Sequence, residues 1–159
     1  MTRRALLLLQ IAVTLVALAA RLLAPGWLAA MMLFSLGLVP LVLLAPLITA
    51  TLALPRGRVA TAAVAAFAIT DLALLAFAWA YPDVRDTPNE IAVPAAALFG
   101  LGDHLGAPGG AFIAAYDTTG RALTLVGEAG LVGYLVCASA TAALVTTLRL
   151  RRNRAASAL

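Results

Sequence analysis

Charge is almost missing from most of this chain. Between Ala5 and Leu54 the only charged residue is Arg21, and between Val59 and Ala80 the only one is Asp71. Runs of this length cannot all be buried inside one small soluble globule. They read as helices that use hydrocarbon as their solvent, because a helix needs about 20 apolar residues to cross about 30 Å of bilayer core. Composition agrees: 64% of the 159 residues are hydrophobic and 11% are charged, against about 45–50% and about 25% in soluble domains. The pattern predicts an all-α, polytopic membrane protein, a single domain over residues 1–159.

Four segments have the required length. The first covers about residues 5–24, with Gln10, Thr14 and Arg21 as its polar positions; Pro25-Gly26 follows as a turn signal. The second covers 27–54, roughly 42 Å of helix. It exceeds one crossing, so it must tilt, bend or protrude, and Pro40 and Pro46 are the expected bending points. The third covers 59–81, with Trp79 and Tyr81 at its far end as an aromatic belt and Pro82 as its stop. The fourth covers 122–148. The connecting stretch 82–121 is the largest outside the hydrocarbon. Its apolar part, Ile91 to Leu101, is too short to span and predicts a short interfacial or re-entrant helix from about Pro94 to Leu101. Asp117-Thr118-Thr119-Gly120 reads as a turn into the fourth span.

Arginine sets the expected orientation. Arg3, Arg4, Arg56, Arg58, Arg149, Arg151, Arg152 and Arg154 flank the spans on one side, with no acid among them. Arg21, Arg85 and Arg121 lie on the other side with Asp83, Asp86, Glu90, Asp103 and Asp117. The positive-inside rule places both termini and the Arg56–Arg58 turn in the cytoplasm of a plasma membrane. The net charge of +4 therefore reads as a topology signal that also favours anionic lipid, not as a nucleic-acid surface. All basic residues are arginine, and Ala, Leu, Gly and Pro are used heavily, as in a GC-rich bacterial genome. Met1–Arg4, followed by an apolar run and Ala17-Leu18-Ala19, also fits a signal peptide; the run continues through Leu22-Leu23-Ala24, which favours a retained span.

Chemistry-bearing residues are few. Asp71 lies roughly 18 Å into a helix of roughly 33 Å. A carboxyl at that depth either bonds to a neighbouring helix or handles protons. Glu128 lies roughly 9 Å inside the outer end of the fourth span and Asp71 roughly 13 Å from the same face. With Arg21 approaching from the first span, the three form a candidate intramembrane polar site. Asp103 and His104, in a glycine-rich turn, are a candidate outer-loop site. Ala129, Gly133, Cys137 and Thr141 recur every four residues, with Gly127 and Gly130 nearby, and predict close helix packing in lipid. One cysteine and one histidine offer no zinc site, and no nucleotide, hydrolase or metalloprotease pattern is present. No catalytic residue, cofactor or metal is expected.

Two functions follow as expectations. The first is a non-enzymatic accessory or structural subunit packing against other membrane helices, with the bilayer and a membrane-protein partner or further copies of itself as its partners. The second is an oligomeric proton- or cation-linked transporter or channel using Asp71 and Glu128. An intramembrane enzyme would need more convergent groups than Asp71, Glu128 and His104 supply.

Overall fold

The computed structural model describes residues 1–55, 57–84, 91–99 and 118–157. Helices dominate: α1 (Arg3–Leu23), α2 (Trp27–Phe34), α3 (Leu38–Ala53), α4 (Thr61–Ala80), α5 (Pro94–Phe99) and α6 (Thr118–Ser157). β1 (Asp83–Val84) and β2 (Ile91–Ala92) form a two-residue antiparallel ladder, Asp83 opposite Ala92 and Val84 opposite Ile91. Three helices, α1, α4 and α6, are long and apolar enough to cross a membrane, and α2 with α3 makes a fourth if the bent pair is one span.

The backbone sorts these helices into two directions. At one end, Arg3 N–H donates to Gly57 O, Val59 N–H donates to Met1 O, and Thr2 bridges Arg58. The start of α1 is thereby tied to the α3–α4 turn. At the other end, Arg21 reaches Phe77 and Tyr81. Hence α1 and α4 run the same way, and α3 returns. Gly127 lies against Tyr81 and Thr141 against Thr70, so α6 runs antiparallel to α4.

The second apolar segment breaks where the proline reading did not place it. Pro40 and Pro46 both lie inside α3, whereas α2 and α3 meet at 88° across Ser35-Leu36-Gly37. Gly37 N–H donates to Met32 O and Leu36 N–H to Leu33 O. This pair of bonds satisfies carbonyls in the last turn of α2 where the chain turns, with left-handed backbone at Leu36 (φ 51°) and Gly37 (φ 82°). Pro40 falls in the first turn of α3, where its missing N–H has no helical partner to lose. Pro46 removes the donor to Val42 O, yet α3 continues to Ala53. The expected turn at Thr118-Thr119-Gly120 is instead the first turn of α6.

The core lies around α4. Phe67, Leu74, Phe77 and Ala78 pack with Leu6, Ala17 and Ala20 of α1, Leu44 and Leu47 of α3, and Tyr134, Ala138 and Val145 of α6. Large apolar side chains also cover the outside: Leu22 is 68% exposed, Leu72 69% and Phe34 85%. A soluble monomer rarely tolerates so much, while in hydrocarbon such a surface is the stable one.

The α4–α6 seam closes on glycine. A Cβ on Gly127 would lie 2.4 Å from Tyr81 Cα, and one on Gly130 would lie 2.5 Å from Phe77 N. The two backbones touch there. By contrast, α1 and α3 stand apart and leave an open groove of about 270 Å³, walled by Leu7, Ile11 and Leu15 on one side and Leu44, Ile48 and Leu52 on the other.

Candidate functional site

The buried polar side chains form a series of ties between helices. The first joins α1 to α4: Gln10 Nε2 donates to Asp71 Oδ2 at 2.7 Å. Both residues are buried. Gln10 lies seven residues into α1 and Asp71 ten into α4; because the helices point the same way, the two meet at matched depth. Asp71 Oδ1 and Gln10 Oε1 have no hydrogen-bond partner among the described residues. One face of Gln10 also lines the α1–α3 groove.

Thr70, beside Asp71, ties α4 to α6. Its hydroxyl donates to Ala66 O at 2.9 Å and lies 3.0 Å from Thr141 Oγ1. A hydroxyl has one proton, so Thr141 is the donor across the seam. Nearer the far end, Tyr134 of α6 donates to Leu43 O of α3 at 3.0 Å, next to Val42, to whose carbonyl Pro46 has no N–H to donate.

Arg21 makes the strongest of these ties. It is 2% exposed, with Nη2 donating to Phe77 O at 2.6 Å and Nη1 to Tyr81 O at 2.8 Å. These are the last carbonyls of α4, the negative end of its dipole. The guanidinium carbon also sits 4.9 Å from the Phe77 ring centre and 5.8 Å from that of Tyr81, within cation–π range. A cation on one helix thus completes the end of another.

One acidic residue escaped the sequence reading. Asp83, 3% exposed, accepts from Leu28 N–H at 2.8 Å and Ala29 N–H at 3.2 Å. The N-cap of α2 is Gly26, which has no side chain to offer. Asp83 supplies the missing acceptor from the end of α4, pinning α2 across the bundle. A helix start without a Ser, Thr, Asp or Asn cap was the only signal, and it does not say where the acceptor comes from.

The three residues expected to share an intramembrane site are not brought together. Asp71 is held by Gln10 at the level of Thr141, whereas Arg21 and Gly127 lie at the level of Tyr81. Along α4 those levels differ by ten residues, roughly 15 Å. Glu128, next to Gly127, is exposed on the outer face of α6. The cause is the register of α6, which the Gly127 and Gly130 contacts set. Asp103 and His104 lie outside the described residues.

The packing face of α6 also differs from a strict four-residue stripe. Ala129 is exposed and Cys137 half-buried; Gly133 contacts Ala73, with a Cβ placed there 3.6 Å from Ala73 Cβ; and Thr141 is buried. Gly127, Gly130, Tyr134, Ala138, Thr141 and Val145 face inward, in a mixture of steps of three and four, as a 3.6-residue period requires.

Comparison with protein-family models, with curated proteins and with solved structures finds no match for this chain. The class is therefore set by the molecule's own features: a helical protein with three or four membrane-compatible helices.

Proposed function

We propose that this chain is a small multi-pass protein of a bacterial plasma membrane, a four-span bundle with both termini cytoplasmic, serving as a non-enzymatic accessory or structural subunit that packs against other membrane helices. The observation that carries this reading is the Gln10–Asp71 hydrogen bond. The carboxyl best placed by depth to move a proton is engaged by a neighbouring helix. Thr70, Thr141, Tyr134 and Arg21 are engaged in the same way. Buried polar groups used between helices support a scaffold, while transport needs them along a wet path. The orientation draws support from the tie between Met1–Arg3 and Gly57–Val59, which gathers those arginine flanks at one end.

Reconstitution tests the reading. Wild-type protein and Asp71→Asn are each placed in liposomes carrying an internal pH dye and an imposed proton or cation gradient. Both are expected to decay at the rate of empty vesicles. A gradient dissipated by wild type and preserved by Asp71→Asn would establish the transport alternative instead. In parallel, a photocrosslinker at Val132 or Val136, exposed on α6, is expected to give one discrete protein adduct in native membranes. A chain that remains an unadducted monomer at both positions counts against an accessory role.

A further inference from the structure

The arginine end of the bundle carries uncompensated positive charge beside an apolar groove. Backbone pairing sets Arg58 opposite Thr2, next to Arg3 and Arg4. Those two residues open α1, where the exposed N–H groups already make the helix end positive, and the first turn contains no acid. No aspartate or glutamate precedes Asp71, and none follows Glu128. Arg3 Nε is buried with no hydrogen-bond partner among the described residues. Two arginines on a positive helix end, with a third paired beside them in the α3–α4 turn, call for an anion.

The groove lies directly below. Its α1 wall, Leu7, Ile11 and Leu15, continues the face that Arg3 and Arg4 begin, since residues three and four apart share one side of a helix. From Leu7 to Leu15 the wall rises eight helical steps, roughly 12 Å along the axis. Leu44, Ile48 and Leu52 of α3 face it. A largely apolar slot of about 270 Å³, with Arg3 and Arg4 one turn before its first α1 residue and Arg58 paired beside them, matches a molecule with an anionic head and a hydrocarbon tail.

We propose that the protein binds an anionic phospholipid at this place, its phosphate held by Arg3, Arg4 and Arg58 and one acyl chain lying in the α1–α3 groove. The proposal rests on the membrane reading and is independent of the accessory role. Long arginine side chains reach outward to the phosphate level while their helix stays in hydrocarbon. Charge selects the headgroup, and the groove turns general attraction into a site.

The test is native mass spectrometry of the full chain, delipidated in a neutral detergent and offered dioleoyl phosphatidylglycerol or dioleoyl phosphatidylcholine. The anionic lipid is expected to be retained at least about tenfold better, the order that two or more arginines near a membrane surface supply. The triple variant Arg3→Gln/Arg4→Gln/Arg58→Gln is expected to lose that preference. Arg149→Gln/Arg151→Gln, on α6, removes charge from the same end and is expected to keep it. Ile48→Trp narrows the groove and is expected to lower retention with every arginine in place; Ile11→Trp does so from the facing helix if the first variant is not monodisperse. Equal retention of the two lipids, equal loss in the α6 variant, unchanged binding with the groove filled, or displacement by inorganic phosphate would each overturn the proposal.

Discussion

The α4–α6 seam and the α1–α3 flank are both helix pairs inside one apolar bundle, yet one is closed backbone to backbone and the other stands open. At the seam, Gly127 and Gly130 leave no room for even a methyl group. At the flank, leucine and isoleucine hold the helices apart around a groove. In water both pairs would close to hide apolar surface. In hydrocarbon that force is gone, since lipid tails are as apolar as leucine. Association then depends on close van der Waals packing and on polar ties, and the seam has both while the flank has neither. Tightness in this molecule follows small residues and hydroxyls, not hydrophobicity.

The sharpest way to break the contrast is to push the seam apart. Gly130→Ala places a methyl carbon 2.5 Å from Phe77 N. Backbone cannot yield as a flexible side chain does, so the helices must separate or shift. Overpacking of this kind costs about 3 kcal/mol. The measurement is unfolding in mixed micelles titrated with a denaturing detergent, with Ala129→Leu, on the exposed face of α6, as the neutral control. Removing the clamp at the seam's far end comes next. Arg21→Ala leaves Tyr81 O without its donor and empties the space over two aromatic rings, and the expected loss in the same titration is about 2 kcal/mol.

The polar tie between α1 and α4 is smaller, and its value is diagnostic. Gln10→Leu strands the Asp71 carboxyl without the donor it has among the described residues and is expected to cost about 1 kcal/mol. Gln10→Leu/Asp71→Leu removes both partners and is expected to be close to neutral, because matched apolar groups leave nothing unsatisfied. A coupling near that size in the double-mutant cycle marks Asp71 as a tie. Full stability in the single Gln10→Leu variant would mean that another group holds the carboxyl.

Some of this organisation was legible in the sequence and some was not, for definite reasons. The membrane-compatible helices were legible because their lengths depend only on local composition. The α5 helix was legible because Pro94 starts it. The bend at Ser35-Leu36-Gly37 is not legible from the prolines, because Pro40 and Pro46 both lie inside α3. A proline in a first turn changes nothing, and a glycine can take the left-handed backbone a reversal needs. Asp71 was identified as a buried acid, but its partner lies 61 positions away, and depth matching requires knowing that α1 and α4 point the same way. Glu128 was placed near Asp71 because depth was counted from assumed span ends; contacts at Gly127 and Gly130 fix the true register. Asp83 was passed over because it follows a span, and a cap supplied across 55 positions leaves no local trace.

The smallest expected effect concerns the bend on the open flank. Leu36 is 96% exposed and adopts φ 51°, a conformation that costs an L side chain roughly 1–2 kcal/mol and glycine none. Leu36→Gly relieves that strain but gives the unfolded chain more freedom, which returns roughly 0.5–1 kcal/mol. The expected net gain is about 0.5 kcal/mol, read in the same titration. Leu36 therefore remains because of something other than stability. A side chain this apolar and this exposed, at the corner between α2 and α3, fits a residue that enters lipid and holds the corner there. Leu36→Gly should loosen that hold, and Leu36→Asn, which also tolerates left-handed backbone, should loosen it further. A spin label at Ser35 would report less contact with a lipid-soluble relaxant in both variants; unchanged contact would make the corner a feature of the backbone alone.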